Sequence, residues 1–553
     1  MNKETTLSVA DLFCGAGGFS EGFRKAGFNV IFGLDNWQYA IKTFQFNHTE
    51  AKCAAMSILD VANESINEII PDTDVIIGSP PCTYFSKSNK AGKGDKKEGI
   101  ELVMKFLQIV ALKKPKFWIL ENVVGLQTYL KREYTYHELG LKGGDRIALK
   151  IPNIITFNSS DFGVPQKRCR LICGDFPIPE FTNANNPVAL KKILQSLPNP
   201  EIIKYEESIV IDPNYNFKIK GKFLSDHFYS TKLEKFQWAE AKRLKIDHSY
   251  YGRMSFPEDI EKPSRTVMAT LSKVSRESMI LGTSYKKHRK YRLPTIREIA
   301  CMQSYPIDYQ FIADREEIKY RLVGNSVPPL MAYHFAVAIM KKTGIVQRAR
   351  FSEYDTNKQP PFNLNGIERK RVLPRARHLN ARFRAHVPFL KIRNFRVDLD
   401  NLSSNFELQK FIWSASIHHG TGKLHAEKAN PSISELKSLI KKSEYEDRFI
   451  KLDNKLDDRF DGRIPDSLGF QKIYCRMQKA NGFIGPYETL SEVRKLVNQN
   501  FPVSKFSNID LINEKKIGIK QEQIPLLIIA ALYACKYVEQ SMVQRDDGGK
   551  SLT

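Results

Sequence analysis

No two of the eight cysteines (Cys14, Cys53, Cys82, Cys169, Cys173, Cys301, Cys475 and Cys535) are spaced Cys-x-x-Cys. The pattern therefore offers neither a zinc site nor a disulfide framework, and a reduced compartment is the default. Acidic residues are few beside basic ones: Asp+Glu 61 against Lys+Arg 85, a net charge of +24 over 553 residues. That balance disfavours a polycationic partner and favours a polyanion, through counterion release. A membrane-spanning run is missing too. The longest apolar stretch, Ile524 to Cys535, is interrupted by Pro525 and closed by Lys536, short of the roughly 20 residues a span needs. Met1 to Thr6 holds no apolar leader, so the expectation is a cytoplasmic chain with no membrane partner. Internal repeats and low-complexity tracts are absent.

What is present is a globular composition, 42% hydrophobic and 11% aromatic, with room for roughly two to four domains. From Leu7 to about Gly174, short apolar runs alternate with amphipathic ones. Strands are expected at Leu7–Phe13, Val30–Leu34, Asp74–Ile77 and Phe117–Leu120, and helices at Phe19–Ala26, Trp37–Phe46 and Gly99–Ala111. Such alternation predicts βαβ units around a parallel sheet. From about Pro177 to Pro263 the periodicity blurs, which reads as a separate, irregular module; helical patterning returns at Thr295–Met302 and Leu330–Met340. Thr356 to Leu364 is a linker candidate.

The candidate site residues all lie at strand ends. After the first strand comes Asp11-Leu12-Phe13-Cys14-Gly15-Ala16-Gly17-Gly18, a glycine-rich turn that lets backbone approach a ligand and exposes helix amides. A dinucleotide fingerprint would want glycine where Ser20 stands. The second strand ends in Asp35, an acid placed to accept ribose hydroxyls, so a nucleoside-containing cofactor is expected. The third motif is Gly78-Ser79-Pro80-Pro81-Cys82. Two prolines exclude helix interior and central strand, leaving a stiff loop that presents a thiol where rigid positioning suits a nucleophile. Glu121 follows four buried-looking residues, and desolvation there would favour a proton donor. Arg168 and Arg170 alternate on an extended segment, so they are expected to act together on a phosphate or a base.

Taken in order, these motifs resemble those of the DNA (cytosine-5)-methyltransferase family. The likeness continues through Glu121-Asn122-Val123, Gln166-Lys167-Arg168-Cys169-Arg170, Lys262-Pro263-Ser264-Arg265-Thr266, Leu293-Pro294-Thr295-Ile296-Arg297-Glu298 and Gly324-Asn325-Ser326-Val327-Pro328-Pro329, and covers roughly residues 7–343. The resemblance implies an α/β, Rossmann-like fold dependent on S-adenosylmethionine. Its catalytic domain would span residues 1–175 completed by 322–345, its last helix returning beside the first strand, with a smaller target-recognition domain over 176–321. By resemblance Phe13, Gly15, Gly17, Asp35, Pro80 and Asn325 are cofactor-site positions, Cys82 is the covalent nucleophile, Glu121 steadies the ring, and Arg168 and Arg170 grip the base; no metal is implied. The implied function is site-specific methylation of a flipped-out cytosine in double-stranded DNA, as the modification enzyme of a restriction-modification system. The enzyme would act as a monomer on nucleoid-associated DNA beside a cognate restriction endonuclease. The sequence departs from the family pattern at Asn36 and Trp37 after the ribose acid, at Ser57 where an acid might meet the adenine, and at Thr83 after the nucleophile.

Residues 346–553 lie beyond the resemblance and are expected to form an accessory α/β or mainly helical domain that binds DNA or a partner. Ten Lys/Arg fall within Glu368–Arg396, interleaved with Phe383, Phe389 and Phe395, a pattern suited to a DNA backbone. Pro431–Lys442 and Pro525–Tyr537 read as helices. Two alternatives stay open at this point. One is an RNA (tRNA) methyltransferase on the same scaffold. The other is a bifunctional enzyme with a C-terminal nuclease, although Pro465-Asp466 is followed by Phe470-Gln471-Lys472, without the acid a metal would need.

Overall fold

A computed structural model describes residues 6–82, 85, 96–201, 208–247, 254–285, 288–345, 360–368, 376–420, 427–441, 443–478 and 480–547. They divide into two compact units, Met1–Ala241 with Ser255–Arg371, and Lys242–Met254 with Val372–Thr553.

The first unit is built on seven strands: β1 (Ser8–Leu12), β2 (Asn29–Asp35), β3 (Lys52–Ala55), β4 (Val75–Gly78), β5 (Phe117–Asn122), β6 (Asn153–Asn158) and β7 (Cys169–Asp175). Their order in the sheet is β3-β2-β1-β4-β5-β7-β6. Neighbours from β3 to β5 run parallel, whereas β7 is antiparallel to both β5 and β6. Strands buried on both faces should be apolar throughout, and Val75, Ile76 and Ile77 are each at most 1% exposed. Alternate residues feed opposite layers. Val9, Val75, Ile77 and Ile119 pack with the Gly18–Ala26 and Pro329–Thr343 helices. Ala10, Leu12, Ile76, Trp118 and Leu120 pack with the Lys96–Lys113 helix.

Chain order reverses between β1 and β4, which opens a crevice at the carboxyl ends of these strands. The expected return of the last helix is realised against the first helix. A Cβ on Gly22 would lie 2.3 Å from the Pro329 carbonyl oxygen and 2.5 Å from the Ala332 Cβ, so only glycine permits this approach.

The module after residue 176 is not a compact unit of its own. Leu190, Ile193, Val210, Tyr229 and Leu281 share one apolar cluster with Ala16, Ala40, Tyr305 and Tyr309, and residues 242–254 group with the second unit. The described end of the linker candidate, residues 360–364, is likewise anchored, and residues 356–359 lie outside the described residues. Asn365 Oδ1 accepts from the His227 and Phe228 amides (2.9 Å each), and Leu364 is 6% exposed. The first unit therefore extends past the expected boundary at 346.

In the second unit, strands Arg384–His386, Arg396–Asp400, Ser414–His419 and Glu427–Ala429 form an antiparallel sheet in sequence order. Its apolar face (Val397, Leu399, Ala415, Ile417) joins a core around the Leu526–Asp547 helix. That helix runs further than the apolar stretch suggested. By length and hydropathy it could cross a membrane, as could Glu316–Thr343, yet 72% of each apolar window is buried inside the protein. The opposite face of the sheet carries Arg384, Asp398, Ser416 and His418, which pair with one another at 2.8–3.5 Å.

Two of the three phenylalanines in the basic stretch are core residues, Phe383 at 2% and Phe395 at 3% exposed, and Arg396 is buried at 1%. That stretch therefore serves partly as core rather than wholly as DNA-facing surface. Asp466 caps the Ser467–Cys475 helix, accepting from the Gly469 amide at 2.8 Å. Among the described residues no group of three or more His, Cys, Asp or Glu is placed to hold a metal.

Gly22→Ala is expected to destabilise the first unit by about 1–3 kcal/mol, the usual cost of overpacking; a lowered urea midpoint measures it.

Candidate active site at the carboxyl edge of the sheet

Parallel strands β1, β2, β4 and β5 all end at one edge, and the antiparallel β7 begins there. The register pairs Asn122 with Leu171 and Glu121 with Ile172, so Arg170 starts where Glu121 ends. One edge thus gathers the glycine turn after β1, Asp35, the proline loop after β4, Glu121 and Arg170.

The proline loop has few backbone donors, and side chains hold it instead. Asn122 Nδ2 donates to the Pro80 carbonyl at 3.0 Å, while Asn122 Oδ1 accepts from the Val123 amide at 2.8 Å. Ser79 Oγ donates to the Phe13 carbonyl at 3.3 Å, and the Phe85 amide to the Cys82 carbonyl at 3.2 Å. All eight cysteines are free; Cys82 is half-buried, whereas Cys14, Cys173, Cys301, Cys475 and Cys535 are buried. Burial pushes the Cys14 thiol of the first turn well above its ordinary value, so that cysteine is held protonated.

Glu121 is 5% exposed. Arg170 Nε lies 3.0 Å from its Oε1, with the Glu121 side chain buried and that of Arg170 partly buried. Beyond this ion pair, Oε1 has no hydrogen-bond partner among the described residues. A buried acceptor with unused capacity is rare in a finished core and fits an edge that receives a polar ligand.

Arg168 and Arg170 divide the work expected of them jointly. Arg168 is 3% exposed, and its Nη1 and Nη2 donate to the carbonyls of Val267 (3.3 Å) and Gly324 (3.1 Å). Burial, and then the neighbouring Arg170 charge, pull its pKa down to about 9, opposed by Glu121 and Cys82. It sits behind the site with its donors on main chain. Gln166, which sequence reading passed over, is a similar hub. It accepts from the Val267 amide at 3.1 Å, donates to Gln303, and its carbonyl accepts from Ser159 Oγ at 2.7 Å. The only sequence signal for this was its place between Pro165 and Lys167 in a basic turn.

At the first turn, Phe13, Gly15 and Gly17 all have positive φ (74°, 53° and 85°). Such angles suit glycine and are costly for Phe13. The Phe13 and Cys14 amides both donate to the Leu34 carbonyl, at 2.8 and 2.9 Å. Asp35 accepts from the Gly15 amide through Oδ2 (2.9 Å) and from the Trp37 amide through Oδ1 (2.8 Å), leaving further lone pairs on each oxygen. Burial raises the Asp35 pKa; the amides of Trp37, Gly15 and Asn36 counter it. A Cβ on Gly15 would meet nothing within 4 Å, so the turn is open there, whereas one on Gly17 would lie 2.5 Å from the Tyr309 hydroxyl and 2.8 Å from His48 Nε2. Trp37 is stacked under the Arg321 guanidinium at 4.7 Å, and Ser57 accepts from the Leu59 amide at 3.2 Å. Asn325 is exposed at the carboxyl end of the Glu316–Asn325 helix, and Pro80 is buried.

Residues 7–341 match the family model described as C-5 cytosine-specific DNA methylase. The chain is 28% identical over 362 residues to the type II methyltransferase M.XorII of Xanthomonas oryzae pv. oryzae, covering 60% of this chain and 84% of that protein. It is 30% identical over 340 residues to the type II methyltransferase M.AplI of Arthrospira platensis, covering 61% and 86%. Among solved structures, the Entamoeba histolytica methyltransferase EhMeth is similar at 14% identity and a TM-score of 0.41, over 61% of this chain and 99% of that one.

The site also stores a titratable carboxyl. Asp11 is fully buried and accepts from Ser20 Oγ at 2.7 Å, while its Oδ1 has no hydrogen-bond partner among the described residues; burial raises its pKa from 3.8 to about 7. The folded chain thus binds this proton more tightly than the unfolded chain. The contribution is full below pH 3.8 and lost progressively as pH rises to about 7. Asp11→Asn is expected to flatten the fall in unfolding free energy across that window and to equal or exceed the parent in stability at pH 8, measured by urea unfolding under reducing conditions.

Proposed function

Because the chain belongs to the C-5 cytosine-specific DNA methylase family, we propose that Cys82, Glu121 and Arg170 carry its reaction, the methylation of cytosine in DNA at carbon 5. The observation that supports this most is their convergence. A thiol on a proline-stiffened loop, a buried carboxylate, and a guanidinium 3.0 Å from the Oε1 of that carboxylate share one sheet edge.

Carbon 5 of cytosine is a weak nucleophile. Addition of the Cys82 thiolate to carbon 6 breaks the 5,6 double bond and turns the ring into an enamine, so carbon 5 can attack an electrophile. Glu121 hydrogen-bonds or protonates ring nitrogen 3 and holds the exocyclic amino group, stabilising the charge that addition creates. Arg170 keeps the Glu121 carboxylate in place and grips the carbonyl edge of the base. After transfer the carbon 5 proton leaves, the double bond re-forms and the thiolate is expelled. Arg168, its donors fixed on Val267 and Gly324, positions the strand that bears Arg170.

The residues present fit S-adenosylmethionine, which when bound supplies an electrophilic methyl group. Phe13, Gly15 and Gly17 would hold it along the turn, which is open at Gly15, Asp35 through its remaining lone pairs, and Pro80 and Asn325 from the facing segments. None of the reacting atoms of a paired cytosine is accessible, so the base must leave the duplex at a cost of a few kcal/mol. The excess of basic residues then serves to hold phosphates. Residues 176–321 supply target recognition, in keeping with their shared core with the glycine turn. The type II relatives support a role in modification beside a cognate restriction endonuclease, with one chain acting on each DNA site.

Expression in a host lacking cytosine methylation, followed by bisulfite sequencing, is expected to show one short recurring sequence fully protected. Cys82→Ala should abolish protection while duplex binding survives; undiminished protection would remove Cys82 from its role. Asn122→Ala, which frees the Pro80 carbonyl, should slow single-turnover methyl transfer on the order of 10²-fold with duplex affinity within about threefold of the parent, since direct phosphate contacts dominate affinity.

A further inference from the structure

The second unit contains a cavity of about 480 Å³ between the end of the Ser467–Cys475 helix and the start of the Pro486–Asn500 helix. Pockets of this size hold small organic ligands. Its walls combine two guanidinium groups with two aromatic rings in a fixed arrangement. Arg377 Nη1 donates to the Tyr474 carbonyl at 2.9 Å, and its guanidinium lies 4.7 Å from the Tyr474 ring centroid. Arg476 closes the first helix in the left-handed conformation, φ 58°, and is exposed on the same cavity. The rings of Tyr474 and Tyr487 each stand edge-on to the buried Phe383 at 5.0 Å. The Tyr474 hydroxyl donates to the Arg382 carbonyl at 2.9 Å, which locks that ring. Met477, 55% exposed, adds an apolar surface beside them.

The charge of this cavity selects an anion. Among the described lining residues, Arg377 and Arg476 are accompanied by one acid, Glu488, whose Oε2 already accepts from the Gly485 amide at 3.3 Å. The amino end of the 15-residue Pro486–Asn500 helix opens on the same space and adds partial positive charge. Flat guanidinium and phenol groups select something planar, because nucleobases stack on both.

We propose that this cavity binds a nucleotide, its phosphate on Arg377 and Arg476 and its base stacked against the Arg377–Tyr474 pair and Met477. Resting on the DNA-methylating activity above, the source favoured is a nucleotide of the DNA itself, held by the second unit apart from the base that reacts at Cys82. A Glu-rich peptide would satisfy the charge but leave the stacking surfaces unused.

The test uses the full-length chain with a fluorescein-labelled 30-base-pair duplex carrying 5-iododeoxyuridine, and dTMP and thymidine as free ligands. The expected result is ultraviolet crosslinking to peptides containing Tyr474, Met477 or Tyr487. Arg476→Glu, an exposed change with little bearing on folding, should weaken duplex binding about tenfold and lower the salt slope by about 1–2. The methyl-transfer rate at saturating DNA should not change. Arg377→Lys keeps the charge and loses the stack, so it should reduce crosslinking more than affinity. Displacement of the crosslink by dTMP but not thymidine supports a DNA nucleotide as occupant. Binding of dTMP that depends on Arg476, with no duplex crosslink in the cavity, assigns the same chemistry to a free nucleotide. Unchanged duplex and dTMP binding in both variants, or displacement by a Glu-rich peptide and not by dTMP, overturns the proposal. Crosslinking and binding are also read in Cys82→Ala protein, so failure of the assigned methyl-transfer chemistry leaves this result intact.

Discussion

The hydrogen bond from the Asn122 amide to the Pro80 carbonyl, 3.0 Å long, is the constraint on which the site depends. A loop with two consecutive prolines cannot be held by its own backbone donors, because proline has none. Stiffness alone fixes the shape of such a loop without fixing where it points. Asn122, at the end of β5 and 0% exposed, ties the loop after β4 to the neighbouring strand, and the preceding residue, Glu121, faces Arg170. The thiol and the carboxylate are therefore registered by one pair of adjacent residues, and a shift of either strand would move both.

Behind this edge, buried charge replaces regular secondary structure. Arg168 joins β7 to the main chain at Val267 and Gly324. Arg297, 0% exposed, joins Ser225 to Pro306, and Arg292 pairs with Glu298 at 2.6 Å. Lys319 and Asp226 form a fully buried ion pair at 2.8 Å, and Lys319 Nζ also donates to the Phe362 carbonyl at 2.8 Å. Removal of one partner from such a pair leaves an uncompensated charge, which costs far more than the pair contributes. The described irregular segments between 176 and 368 are thereby held by side-chain contacts to main-chain carbonyls and buried carboxylates, which accounts for the blurred periodicity there.

The strands flanking the crevice were legible because burial on both faces demands apolar runs: Val75–Ile77 and Phe117–Leu120 announce themselves. β3 and β6 did not, since each lies at an edge of the sheet and is only half-buried, as Lys52-Cys53-Ala54-Ala55 and Asn153–Asn158 reflect. Cys82, Glu121 and Asp35 stood out through chemistry that position alone suggests. Arg168 was legible as a residue of the site and not as a strut, because alternation on a strand gives the direction of a side chain but not the carbonyls that await it. The docking of residues 360–368 was likewise hidden. Thr356 to Leu364 reads as a polar linker, and only the tertiary partners Asp226, His227 and Phe228 reveal Asn363 and Leu364, with the neighbouring Asn365, as an anchor. In the basic stretch, Phe383 and Phe395 have the composition of an interaction surface and the burial of a core.

The central claim is that the sulfur of Cys82 bonds covalently to carbon 6 of the target cytosine. Replacing that cytosine by 5-fluorocytosine removes the proton whose loss would release the enzyme, so the bond should persist. Incubation of the protein with such a duplex and methyl donor, followed by denaturing electrophoresis and peptide mapping, is predicted to give an adduct at Cys82. No adduct at Cys82, with both DNA and methyl donor bound, would contradict the account.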